Sequence, residues 1–121
     1  MLRVKRVYES KEAGDGTRIL VDRLWPRGLR SEQAALDEWM KDVAPSDELR
    51  KWFAHDPAKW TEFKRKYTQG LAAPEKAALL KRIAKLAESG NVTLVYAAKD
   101  TEHNNARVLE ELIARAAENK A

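Results

Sequence analysis

The sequence predicts a small α/β domain with a three- or four-stranded, mainly parallel sheet flanked by helices. Three observations carry this. Two short apolar, β-rich runs, at 17–22 and 91–97, have the composition of strands buried on both faces. Amphipathic segments of helical period lie between them and after the second. The 121 residues contain no linker, repeat or low-complexity stretch, so they are read as one domain, 1–121, long enough to bury about two-thirds of the unfolded surface.

Each element has its own signal. Residues 2–8 (LRVKRVY) alternate apolar and basic side chains, which predicts a strand with one wet face. The AGDG cluster at 13–16 is a turn. Residues 17–22 (TRILVD) form a second strand, ended by Trp25-Pro26-Arg27-Gly28, where proline lacks a ladder N–H and glycine admits positive φ. Residues 31–35 suit one helical turn. Residues 36–43 suit a short helix or an edge strand. The strand is preferred, because Ala44-Pro45 closes the segment and Ser46 opens a helix as its N-cap. Asp47 and Glu48 favour the positive end of that helix, and Leu49, Trp52 and Phe53 share a face. Asp56-Pro57 restarts the chain with an acidic cap and a proline at the first helical position. Trp60, Phe63 and Tyr67 then form one stripe, and Gly70 ends the helix. Pro74 opens the next, with Leu79, Leu80, Ile83, Leu86 and Ala87 inward and Gly90 as a left-handed stop. Residues 91–97 (NVTLVYA) predict a central parallel strand. A last helix follows, capped by Asp100 or Thr101, with Ala106, Leu109, Leu112, Ile113 and Ala116 inward.

Composition narrows the function. Hydrophobic residues make up 44% and charged residues 35%, a folded rather than a disordered balance. No apolar run approaches the ~18 residues of a membrane span, and the N-terminus lacks the apolar stretch of a signal peptide, so no membrane partner is expected. The absence of cysteine excludes disulfides and thiolate chemistry and makes a cytoplasmic location the default. His55 and His103 show no ligand spacing, so no metal is expected. Neither a P-loop motif nor a GxGxxG motif is present, and no cofactor is specified. The net charge is +4, and residues 1–30 carry all of that excess, six of their eight bases being arginine. Arginine's planar fork of donors suits phosphate and carboxylate, so the expected partner is anionic; a solvated basic face is the plain alternative.

Two segments carry the candidate site. Asp22-Arg23-Leu24-Trp25-Pro26-Arg27-Gly28 follows a buried strand, at the end of the sheet where open α/β folds bind ligands. Its structural alternative is that Trp25 plugs the core, Asp22 pairs with Arg23 or Arg27, and Gly28 turns the chain. The run 96–105 (YAAKDTEHNN) joins a strand to a helix N-terminus, an anion-binding geometry to which Lys99 adds a charge. Asp100, His103 and Asn104 complete it. The alternative is a capped helix whose His103 bonds a backbone carbonyl. A third segment, 52–63, holds four aromatic side chains, which at helical spacing are core before they are a stacking platform. His55-Asp56 has the look of part of a triad, but no nucleophile accompanies it, and Asp56 is better explained as a cap.

The runs RILVDRLWPRG (18–28), DEWMKDVAPS (37–46), ELRKWFAHDPAKWTEFKRKY (48–67) and VTLVYAAKDTEHNNARVLEEL (92–112) resemble the domain of unknown function 488 family, in its short bacterial YeaO-like branch. The resemblance implies a small Rossmann-like α/β domain, cytoplasmic, with no established activity. Many longer members carry a cysteine at the last strand–helix junction. Here that segment is YAAKDTEHNNA, so thiol chemistry does not carry over.

The leading expectation is a domain that binds a phosphate-bearing or other anionic small molecule, a nucleotide among them, with or without catalysis. Arg23, Trp25, Arg27 and Gly28 would hold it from one side, and Lys99, Asp100, His103 and Asn104 from the other. Asp22 or His103 would move a proton if one moves. Two other classes stand beside it. A nucleic-acid-binding module would use the basic N-terminal quarter, but +4 is modest and no such motif occurs. A non-enzymatic interaction domain would show an exposed apolar patch.

Overall fold

The structure is a computed structural model in which residues 1–118 are described. Among these, the element order is β1 (Leu2–Arg6), β2 (Thr17–Leu20), α1 (Ser31–Ala34), β3 (Glu38–Trp39), α2 (Asp47–Phe53), α3 (Trp60–Leu71), α4 (Pro74–Ser89), β4 (Val92–Tyr96) and α5 (Asn105–Glu118). Single 3-10 turns occupy Ala13–Asp15, Lys41–Val43 and Pro57–Lys59. The four strands make one all-parallel sheet in the order β1-β4-β2-β3, consistent with a Rossmann-like arrangement. Residues 119–121 of the single domain read from the sequence lie outside the described residues.

The pairing explains the burial. β4 lies between β1 and β2, with Leu94 opposite both Val4 and Ile19, and every residue of Val92–Tyr96 is buried. Side chains alternate across the sheet. Val92, Leu94, Tyr96, Ile19 and Val21 face the main core, where helices supply Phe53, Phe63, Tyr67, Ile83 and Leu109. Val95, Leu20 and Val7 face the other side, closed by Ala34 and partly by Leu29, Leu36 and Trp39.

Several local expectations hold. The Ser46 hydroxyl accepts from Leu49 N at 3.1 Å, and the Asp56 carboxylate accepts from Ala58 N at 3.0 Å. Segment 36–43 divides, with two strand residues paired to β2 followed by a 3-10 turn. Other expectations are corrected. Gly90 has φ 179°, extended rather than left-handed, and Gly70 lies within α3, which runs to Leu71. Leu86 and Ala116 are exposed rather than inward. The last helix starts at Asn105, and its cap is Asn104 rather than Asp100 or Thr101: Asn104 Oδ1 accepts from Arg107 N at 3.0 Å.

The turn at 13–16 does more than reverse the chain. Gly16 has φ 62°, and a Cβ there would stand 2.0 Å from the Asn91 carbonyl oxygen, so only glycine fits. That contact sets the start of β2 beside the start of β4. Arg18, a basic residue within the β2 run, is fully buried. Its guanidinium donates to Asp15 at 2.8 Å and to the Ala34 carbonyl at 3.0 and 3.1 Å. Lys5 reaches the same carboxylate at 3.2 Å. Burial alone pushes the Asp15 carboxyl up, but donors from Glu12, Arg18 and Lys5 outweigh it and hold the group below the usual range.

Asp15→Asn is therefore expected to cost about 3–5 kcal/mol in urea titration, since it leaves the Arg18 charge buried and uncompensated. The pH dependence has a definite sign. A depressed folded-state value gives stability that is complete above the ordinary carboxylate range and lost as pH falls below about 4. The variant should lack that part of the acid limb, and an unchanged acid limb would refute the assignment.

Candidate functional site

Because the strands are parallel, all their carboxyl ends open on one edge, and each is followed by a segment that lines a single crevice of about 600 Å³. Tyr8 comes from beyond β1, residues 22–27 from beyond β2, Pro45 from beyond β3, and residues 97–100 and 103–105 from beyond β4. The α2–α3 region adds Arg50, Phe53, His55 and Phe63. Of the residues expected from sequence, Asp22, Arg23, Trp25, Arg27, Lys99, Asp100, His103 and Asn104 all line this crevice. Gly28 does not; its φ of 74° serves the turn alone.

Asp22 is the joint of the site. One carboxylate oxygen accepts from Ala97 N at 2.8 Å and the other from Asn105 Nδ2 at 3.0 Å, while its carbonyl accepts from Trp39 Nε1 at 2.7 Å. Asn105 Nδ2 also reaches the Val21 carbonyl at 2.8 Å. The end of β2 is thereby tied to the end of β4 and the start of α5. Burial raises the Asp22 carboxyl above the usual range, against the pull of the Ala97 N–H, the Asn105 amide and nearby His55. The alternative reading, in which Asp22 pairs with Arg23 or Arg27, is not met among the described contacts.

The run from Lys99 divides by task. The Asp100 carboxylate accepts from Glu102 N at 2.9 Å and His103 N at 3.0 Å, and its other oxygen meets His103 Nδ1 at 2.9 Å. The N–H groups of Glu102 and His103, then the His103 ring, hold the Asp100 carboxyl below the usual range. With Nδ1 turned to a carboxylate, Nε2 is the ring atom left for another partner. The imidazole also meets Trp60 edge-on, centroids 5.2 Å apart. Asn104 is buried, and its amide spans the Asp100 carbonyl at 2.9 Å and Arg107 N. Asp100 and Asn104 thus spend their polar atoms on the loop itself.

The cations differ in the same way. Arg23 donates to the Pro45 carbonyl at 3.4 Å and stands 3.7 Å from Asp47, which Arg50 approaches to 3.6 Å. These pairs are half-exposed and hold weakly. Among the described residues, the side chains of Arg27 and Lys99 have no hydrogen-bond or ion-pair partner. The walls are aromatic. Phe53 and Phe63 stack at 4.3 Å, and Trp25 meets Trp39 edge-on at 5.4 Å while its Nε1 donates to the Leu29 carbonyl.

The expected site did not include Tyr8, Arg50, Phe53, His55 or Phe63, and Asn105 was within the expected run 96–105 without a role of its own. Phe53 and Phe63 were legible as core, which they also are. His55 read only as part of a triad without a nucleophile; its place at the crevice depends on two consecutive left-handed residues, Ala54 (φ 47°) and His55 (φ 57°). Non-glycine residues rarely adopt that region, and where they do it often re-aims a side chain at a functional site.

The family described as the inactive DUF488-N3 subclade matches the chain over residues 1–121. The uncharacterised protein YeaO of Escherichia coli is 46% identical over 108 residues, 89% of this chain and 92% of its own. The uncharacterised proteins Mb3100c of Mycobacterium bovis and Rv3073c of Mycobacterium tuberculosis are each 41% identical over 112 residues, 93% of this chain and 92% of theirs. No solved structure matches.

Asp22→Ala should destabilise the protein by about 1–3 kcal/mol in denaturant titration, because it strands the Ala97 N–H and the Asn105 amide. Ala54→Gly should act oppositely, gaining about 1 kcal/mol by relieving the left-handed residue that closes α2. A loss on Ala54→Gly would show that the strain is not where the backbone angles put it.

Proposed function

The chain belongs to the inactive DUF488-N3 subclade, and from that membership we propose that it binds a phosphate-bearing or other anionic small molecule in the crevice at the carboxyl edge of its sheet, without turning it over. The observation that carries this reading is the pair Arg27 and Lys99. Both are cations on the wall of one crevice, they reach it from different strand ends, and neither is neutralised by the chain. Both side chains are exposed, so water solvates them in the empty crevice and leaves their donors open to an anion. Arg50, held by exposed Asp47, and Arg23, held by Asp47 and a long bond to the Pro45 carbonyl, can turn to the same ligand.

The absence of a thiol and the description of the subclade as inactive both favour binding over catalysis. His103, steadied by Asp100, then serves as a hydrogen-bonding partner of the ligand through Nε2. Asp22 serves as scaffold, since both of its carboxylate oxygens are engaged. No helix among the described residues is long and apolar enough to cross a membrane.

Calorimetric titration of the full chain with inorganic phosphate tests the reading. Arg27→Lys keeps the charge but removes the bidentate fork. It should weaken binding about tenfold or more, since a hydrogen bond to a charged group is worth about 1.5–3 kcal/mol. The melting temperature without ligand should not move, because Arg27 pairs with nothing in the fold. Affinity should fall only gently with salt. A steep fall would mark multiple phosphate contacts and turn the reading toward nucleic acid. Lowered stability with unchanged affinity would overturn the proposal.

A further inference from the structure

The crevice is far larger than an anion requires. Its volume of about 600 Å³ lies in the ~300–1,000 Å³ range of sites that enclose whole organic ligands. Its apolar lining is also specific. Phe53 and Phe63 are 5% and 2% exposed yet line the cavity, so they form part of its inner wall. Leu24 and Trp25 also line it and stand exposed, at 58% and 37%. Trp25 is not loose: its Nε1 bond to Leu29 and its edge-on contact with Trp39 hold the indole where it is. A large apolar ring kept rigid and open beside free cations is a poor use of surface in an unliganded protein, and a good seat for another ring.

We infer that the ligand joins its anionic group to a flat aromatic or heteroaromatic ring, the ring seated on Trp25 and the Phe53–Phe63 wall and the anion at Arg27 and Lys99. This rests on the anion-binding reading and adds the chemical class of the ligand. An aryl phosphate and a nucleoside monophosphate share that chemistry. A sugar phosphate has the anion without the ring, and a nucleoside has the ring without the anion.

The test is a calorimetric comparison of five probes on the full chain at one ionic strength: inorganic phosphate, ribose 5-phosphate, phenyl phosphate, adenosine 5′-monophosphate and adenosine. Phenyl phosphate and adenosine monophosphate should bind at least about tenfold more tightly than inorganic phosphate or ribose 5-phosphate. Trp25→Ala should erase that advantage and leave the phosphate affinity alone. Trp25→Phe should keep most of it. Both variants lose the Nε1 bond to Leu29, so only the ring separates them. If ribose 5-phosphate matches adenosine monophosphate, the ring seat is wrong and the anion site stands. If adenosine binds as tightly as its monophosphate, the ring seat stands and the anion site is wrong. If none of the five binds, both fall.

Discussion

The Asp22 carboxylate holds the functional edge of this protein together. It takes the Ala97 N–H at 2.8 Å and the Asn105 amide at 3.0 Å, so one half-buried side chain closes a contact between segments 75 residues apart. The backbone carbonyl of the same residue holds Trp39. Two segments that line the crevice, and β3 beside them, therefore hang on one residue. Burial raises its carboxyl, a cost to the anion that its donors offset only in part.

At the opposite end of the strands a fully buried ion pair does structural work. Arg18 and Asp15 are 0% and 1% exposed, and every polar group around them has a partner. A buried pair of this kind adds little net stability compared with an apolar pair of the same volume. It adds register. A one-residue slip of β2 would carry Arg18 into the main core and break its bonds to Asp15 and Ala34 together. Gly16, pressed against Asn91, enforces the same register sterically. The loops beyond β2 and β4 can be irregular because the strands beneath them cannot shift.

The crevice combines groups that are spent and groups that are free. Asp22, Asp100 and Asn104 use their polar atoms to shape loops. Arg27 and Lys99 do not. His103 stands between the two kinds, with one ring nitrogen on Asp100 and the other unassigned. The crevice edge therefore sets two uncommitted cations against a frame of carboxylates and amides that shape its loops.

The sequence by itself determined the α/β class, the strand at 92–96, the caps at Ser46 and Asp56, and the two segments that line the site. Each of these is written in local pattern: apolar run, period, cap residue or turn. The convergence of Arg27 and Lys99 also followed, because both lie just beyond apolar strands, and parallel strands end at one edge. Only the tertiary structure decided the rest. Arg18 read as a basic side chain on a strand; its burial depends on Asp15 and on a carbonyl from α1, contacts no local pattern encodes. Asp100 read as a helix cap, but its oxygens close the bend before the helix, and Asn104 caps it instead. His55 entered the crevice through two left-handed residues that only the packing of α2 against α3 sustains. Local free energy selects elements, whereas the partners of buried charges and strained residues are chosen by whichever distant segments close around them.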